Sequence, residues 1–515
     1  MAKDLMPHLE DLNGRKALFV DGKPYIILGL QWDCDACYSP EDMDPFFEHA
    51  VKMGINTASL LLYWRQVEPV EGEYHFDMLD HHLEMARRYN LKLILIWFGS
   101  YKNACITYAP DYVRSNHQRF TKVKDKSGKL LTNNCCPNAA ETHRRDERAL
   151  IEVIKHIKEK DSKDHTVILF QMENEVGFFG SDRCYCDTCN AEYAGGNWEA
   201  EYGPRAAEAY TAQSIAEYCD SLAKTVKEIY PLPVYMNCWL SSPFQNQRGG
   251  FNYPSGSPVP AMLELYKQTQ KHVDFITPDI YLMGYRDFHY LCKTYSRPDN
   301  PLYIPETNTG LDTRTEKNIF YALGEFAAIG YEPWTLNRCC PGFMTVPMVT
   351  TVDGRWSETA YDLHKSFKMI GDALYPIVMA QNTENLKFFV QEDCDVGALL
   401  SFGDVDVEVQ YEHPKNAARG MVIRLGKDEF ILAAGGAHVQ FSRKGGERVS
   451  VAAVESGVFK DDQWVPRYQL ASEGTPYDRI SMYDCRVLRV VLGERIDRPG
   501  ADIQVNEERN AFAAP

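Results

Sequence analysis

The first twenty residues of this 515-residue chain, MAKDLMPHLEDLNGRKALFV, lack the apolar stretch of an export leader and carry charges in its place. No run reaches the roughly 18 consecutive apolar residues that a membrane span takes. The strongest run, LKLILIWFGS, has the length of a strand. Positive charge is also in deficit: 55 Lys and Arg face 72 Asp and Glu, the net charge is −17, and the basic residues are dispersed. This argues against nucleic acid or an anionic membrane as the main partner. The expected location is the cytoplasm. There, 15 cysteines read as reduced thiols or metal ligands rather than disulfides. No H-E-x-x-H and no His-rich set lies near them, which argues against a zinc hydrolase. No Gly-rich nucleotide loop follows the first apolar run, which argues against an open nucleotide-binding sheet.

What remains is the composition of an ordinary globular protein, 44% apolar and 25% charged, long enough for two or three domains. Eight short apolar runs alternate with amphipathic segments over the first two-thirds. They span 25–32, 56–64, 91–99, 166–175, 233–239, 274–281, 302–307 and 329–336. Ser39-Pro40-Glu41 reads as a helix start, and Gly54 and Asn90 as stops. Eight strand–helix units predict an α/β fold, a (β/α)8 TIM barrel over residues 1–356. A bridging helix and linker are expected at 357–383. Short alternating stretches such as VDVEVQYE predict an antiparallel β-sandwich at 384–498, before a polar tail at 499–515.

Chemistry in such a barrel sits at the C-terminal ends of the strands. The fourth run ends in Asn174-Glu175 and the seventh in Pro305-Glu306. These ends lie across the barrel mouth, so two carboxyl groups 131 residues apart can face each other. A glycosidic bond needs such a pair. One protonates the leaving oxygen, and the other attacks the anomeric carbon or activates water. Glu173, two residues before Glu175, is read as a layer residue inside the barrel or a modulator of its neighbour. Trp64 and Trp97, at the ends of the second and third runs, suit a sugar-binding wall as well as they suit the core.

QMENEVG (171–177) resembles the ENE-G signature of family 35 β-galactosidases, and YWRQVEPVEGEYHFD (63–77) a segment shared by families 35 and 42. The C-terminal stretches MVIRLGKDEFILAAGGAHVQFS and VAAVESGVFKDDQWVPRYQL are similar to the β domain of a bacterial family-35-like group. The resemblance implies a retaining exo-β-glycosidase, most simply β-galactosidase-like, acting on oligosaccharides or glycosides without an organic cofactor. It implies Glu175 as acid/base and Glu306 as nucleophile. Asn174 would bind the sugar 2-hydroxyl, Tyr281 would steer the nucleophile, and Trp334 would lie under the sugar. QWDCDACYSPEDM (31–43) departs from the His-Asn-Ser-Ser-like stretch of relatives, so another β-glycosidase or a transglycosylase of different sugar specificity stays open. A non-catalytic carbohydrate-binding protein is a further alternative. Relatives of this kind often form homo-oligomers, which no feature of this sequence measures.

Cys184-x-Cys186-x-x-Cys189 offers three soft ligands, and a fourth would complete a tetrahedral zinc site. The spacing resembles the RCYC--C zinc segment of family 42 β-galactosidases. That resemblance places the fourth ligand in TNNCCPNAAE, with Cys136 first and Cys135 second. Four thiolates leave no open position, so such a zinc is structural. Cys34-x-x-Cys37 reads as free thiols, or as a redox pair. Cys339-Cys340 receives no role.

Overall fold

The structure is a computed structural model that describes residues 5–34, 36–309, 314–337, 348–349, 354–412, 417–470, 475 and 478–493. Cys339, Cys340 and the 499–515 tail lie outside these residues. The chain divides into two compact units, Met1–Val390 and Gln391–Pro515. No described helix is long and apolar enough to cross a membrane.

All eight apolar runs become strands of one parallel sheet. In chain order they are Ile27–Gln31, Thr57–Tyr63, Lys92–Lys102, Val167–Asn174, Val234–Cys238, Phe275–Pro278, Tyr303–Ile304 and Gly330–Tyr331, here barrel strands one to eight. The hydrogen-bonded order is six-five-four-three-two-one-eight-seven. A parallel bridge between Ile280 and Thr307 joins strands six and seven and closes the (β/α)8 barrel. Strands two and four are buried at every position, which is why they read as apolar runs rather than alternating ones.

The connecting helices follow elementary rules. Ser39 accepts the Asp42 N–H at 3.3 Å, and Gly54 ends helix Phe47–Met53 in the left-handed region at φ 96°. Helix Asp77–Arg88 buries Leu79, His82, Leu83 and Ala86, an i, i+3, i+4, i+7 stripe. Helix Tyr285–Tyr295 is the one that links strands six and seven. Helices Glu358–Asp372 and Leu374–Ala380 fall within the first unit and occupy the stretch read as a bridge.

An antiparallel sheet of His8–Leu12, Arg15–Val20 and Lys23–Tyr25 lies outside the eight-unit pattern. Its Leu18 and Val20 join Ile27, Ile94, Ile168 and Phe275 in one buried cluster at the N-terminal ends of the barrel strands. Farther in, a Cβ on Gly29 would come within 1.7 Å of Glu332 Oε1, so strand one needs glycine there to admit the Glu332 side chain. That carboxyl accepts the Ser59 hydroxyl at 2.7 Å.

The second unit is antiparallel throughout. One of its sheets runs Gly397–Ser401, Val405–Tyr411, Ala437–Arg443 and Ile480–Met482. The other includes Arg419–Gly426, Glu429–Gly435, Arg486–Leu492, Val451–Lys460 and Gln463–Gln469, in that hydrogen-bonded order. Val405, Val407, Val409 and Tyr411 are buried alternately along one strand, the period of a half-covered sheet. Phe430 of one sheet meets Phe441 of the other at 5.1 Å, ring centre to ring centre, so the sheets face each other across an aromatic core.

Candidate active site

Strand four leaves regular geometry at its end. Glu173 and Glu175 have φ of 58° and 44°, positive values that glutamate seldom adopts. The two acids part company there. The Glu173 carboxylate accepts the backbone N–H groups of Gly99, Ser100 and Tyr101 at 2.9–3.1 Å, beside Asp146. Asp146 in turn takes the Trp97 indole N–H at 2.8 Å, the Ser100 hydroxyl at 2.8 Å and the Tyr218 hydroxyl at 2.6 Å. Burial first, and Asp146 second, push Glu173 well above the usual carboxylate range. This acid braces the loop after strand three.

Glu175 faces the mouth. Its backbone N–H donates to Asn237 Oδ1 at 2.9 Å. Across from it, Glu306 follows strand seven and accepts the Tyr281 hydroxyl on Oε2 at 2.8 Å. One carboxyl oxygen each from Glu175, Glu306 and Asp279 lie within 4.8 Å of one another. Asn174 Oδ1 accepts from Gln171 and Asn237, both at 3.1 Å, and its Nδ2 donates to Asn103 Oδ1 at 2.9 Å. Trp334 packs edge-on to Tyr281, with ring centres 6.5 Å apart. Trp64 and Trp97 are wholly enclosed, and their indole N–H groups are spent on Glu68 and Asp146. Neither leaves an exposed ring face for a sugar.

Two members of the constellation escaped the sequence reading. Asp279 stands just beyond strand six, two residues before Tyr281, and that i, i+2 spacing within the sixth run was its signal. Lys102 ends strand three, which continues three residues past the apolar run that marked it. It is 5% exposed, and its ammonium donates to Asn103 Oδ1 at 2.6 Å. Burial works against its charge, but Cys34, Glu306, Glu175 and Asp279 around it raise its pKa on balance.

The electrostatics separate the two glutamates. Burial, then repulsion from Glu306, push Glu175 up to about 8, against the pull of Lys102 and contact with Asp279. Burial raises Glu306 above its ordinary value, an effect that Lys102 and the Tyr281 hydroxyl offset in part. Glu306 Oε1, Asp279 Oδ1 and both polar atoms of the Gln31 side chain are buried with no hydrogen-bond partner among the described residues. Each such atom costs about 1–3 kcal/mol, so their convergence at the strand ends asks for a polar ligand.

Cys136, Cys184, Cys186 and Cys189 converge elsewhere, with one sulfur each within 4.8 Å of the others. The Cys136 sulfur stands 3.8 Å from that of Cys186 and 3.4 Å from that of Cys189. Thiolates around a tetrahedral zinc at about 2.3 Å stand about 3.8 Å apart, so the residues fit that ion. Cys135 points the other way, and its sulfur accepts from Lys122 Nζ at 3.3 Å. Cys34 and Cys37 are both buried, and neither forms a disulfide.

With this geometry in view, a family described as Beta-galactosidase matches residues 37–205, the stretch that carries Glu175 and the four clustered cysteines but not Glu306. A domain of unknown function (DUF5597) matches residues 363–471. The β-galactosidase LacZ of Lactobacillus acidophilus is 25% identical over 143 residues, 27% of this chain and 19% of that protein. The chain thus spans about a fifth of the length of the curated relatives it matches. A β-galactosidase structure from Bacillus circulans sp. alkalophilus aligns with TM-score 0.52 at 13% identity, over 70% of this chain and 57% of that one. One from the psychrophilic Marinomonas ef1 aligns with TM-score 0.50 at 12% identity, over 67% and 59%. At these identities the structural likeness is one of fold, and the fold is the barrel that these β-galactosidases use.

Proposed function

We propose that this chain is a retaining, exo-acting glycoside hydrolase, most simply a β-galactosidase. The observation that carries the reading is the Glu175–Glu306 pair at the barrel mouth, with facing oxygens within 4.8 Å. That spacing is nearer the roughly 5–5.5 Å of a retaining pair than the roughly 6.5–9.5 Å of an inverting one, which supports a nucleophile in direct reach of the anomeric carbon. Glu175, raised to about 8, holds a proton at neutral pH and supplies it to the leaving oxygen. Glu306, whose ionised form Lys102 and the Tyr281 hydroxyl favour against the cost of burial, attacks and forms the glycosyl ester. The ester removes the negative charge that kept Glu175 protonated, and Glu175 then serves as base for water. Trp334 stacks beneath the sugar in this reading, and Asn174 holds its 2-hydroxyl.

Sugar identity is the second question. The first-strand loop 31–43 brings Cys34 beside Lys102, a thiol and an ammonium at the edge of the carboxyl cluster. This favours keeping other β-glycosides, and transglycosylation, beside galactosides. The test is a panel of nitrophenyl glycosides with wild type and Glu306→Ala. Loss of turnover by at least about a thousandfold, partly restored by azide, is the expected outcome. A variant within tenfold of wild type would end the assignment of Glu306.

Cys136, Cys184, Cys186 and Cys189 would hold a zinc ion that is structural, since four thiolates exclude water from the metal. In this reading they fasten the loop after strand four to the segment before helix Ala140–Asp161, which keeps the rim next to Glu175 in place.

A further inference from the structure

Three buried carboxyl groups and one ammonium share the mouth of this barrel, and the two-glutamate chemistry accounts for only two of the carboxyls. Asp279 is 2% exposed. Its Oδ2 accepts from Asn237 Nδ2 at 2.7 Å, and the same amide group donates to Asn174 Oδ1 at 3.1 Å. Asn237 Oδ1 meanwhile receives the Glu175 backbone N–H at 2.9 Å. One asparagine therefore fixes Asp279 relative to both residues of the Asn174-Glu175 pair. The other oxygen, Asp279 Oδ1, is buried without a hydrogen-bond partner among the described residues. The Asp279 and Glu175 carboxyls each have an oxygen within 4.8 Å of the other's. Two carboxyl groups this close in a buried site resist double ionisation, so one of them keeps a proton.

We propose that Asp279 is the positioning residue of the acid/base: a carboxylic acid that keeps its own proton through the whole cycle and donates a hydrogen bond to Glu175 whenever Glu175 is ionised. This rests on Glu175 as the acid/base. The charge count supports it. With Asp279 neutral, the resting site holds one carboxylate, Glu306, against one cation, Lys102. In the first step a Glu306 oxygen attacks the anomeric carbon. The bond to the leaving oxygen breaks, and that oxygen takes the electron pair and the Glu175 proton. Glu306 is now an uncharged ester and Glu175 a carboxylate, so the balance against Lys102 is unchanged. In the second step a water oxygen attacks the anomeric carbon, its proton passes to Glu175, and the ester bond breaks back to the Glu306 carboxylate. An ionised Asp279 would leave an uncompensated buried charge at both stages.

The surroundings agree. Facing the pair are Glu306 and Tyr281, Lys102 and Cys105 from the third-strand side, and Cys238, Tyr235 and Tyr295 from the fifth-strand and helix side. Burial raises these thiols and phenols, so they stay neutral. Burial, then Glu306 and Glu175, push Asp279 itself well above the usual carboxylate range.

The experiment compares wild type, Asp279→Asn and Asp279→Leu in the full-length protein. The value of kcat/KM falls on the alkaline side as Glu175 loses its proton. Asparagine keeps a donor towards Glu175 and adds no charge, so the alkaline limb of Asp279→Asn should stay at the wild-type pH. Leucine removes the donor that favours ionised Glu175, so its limb should rise by about one pH unit. A limb that falls by a unit or more in Asp279→Asn would mean that a negative charge had been removed, and would overturn the proposal. Infrared difference spectra of wild type minus Asp279→Asn read the proton without turnover. A neutral carboxylic C=O band at pH 7 supports the proposal, and its absence overturns it. If wild type hydrolyses none of the nitrophenyl glycosides, the acid/base assignment fails separately, and the band still decides the state of Asp279.

Discussion

Glu175→Gln should make the barrel unit more stable at neutral pH, and the gain should vanish in mild acid. The Glu175 carboxyl is raised from its ordinary 4.5 to about 8 in the folded chain. Between those values the folded state holds a proton that the unfolded state has released. The unfolded state therefore binds fewer protons, and stability declines as pH rises through the window. Each pH unit crossed inside the window costs about 1.4 kcal/mol, so from pH 4.5 to pH 7 the buried acid forfeits about 3 kcal/mol. Glutamine fills the same space and can accept from Asp279, but has nothing to ionise. The difference between variant and wild type should grow by about 3 kcal/mol across that range and level off above pH 8. Urea unfolding followed by tryptophan fluorescence is a suitable assay, because every tryptophan except Trp464 lies in the barrel unit. A difference that stays flat between pH 4.5 and 7, or that grows as pH falls, would refute the assignment of Glu175 as a buried neutral acid.

Two further outcomes are expected. Purified protein should carry about one zinc per chain by atomic emission. Cys136→Ser should lose most of that zinc and lower the melting temperature, whereas Cys135→Ser should keep it. Equal loss in both would contradict the observed grouping of sulfurs. Gly29→Ala should destabilise the barrel by about 1–3 kcal/mol, because the new methyl collides with Glu332. Glu332→Gln combined with Gly29→Ala should not relieve this, since the clash is steric, and a relief on removing charge alone would point to repulsion instead.

The barrel was legible because parallel strands covered on both faces must be apolar throughout, and helices between them must show a 3.6-residue stripe. The sheet at 8–25 was not, since its strands are only three to six residues long and most of their residues are partly buried. Glu175 and Glu306 could be picked out because each ends an apolar run at the rim where barrels do chemistry. Asp279 also lies in such a run, but an acid two residues before a tyrosine says little until Asn237 and Glu175 are seen around it. Lys102 fell outside the run altogether, because the strand outlasts its apolar part. Trp64 and Trp97 show the converse: strand-end aromatics can turn to structural acids instead of the cleft.

By itself, the sequence determined the eightfold alternation, the antiparallel texture after residue 384, the two glutamates and the spacing of three cysteines. All of these are local patterns, and local physics sets them. Tertiary structure alone decided that Cys136 and not Cys135 joins the sulfur cluster, because successive residues at the end of a strand point to opposite faces. It also decided that a third carboxyl and a lysine stand beside the glutamates. Charge balance in a buried site depends on which distant side chains the barrel brings into contact, and no spacing along the chain carries that information.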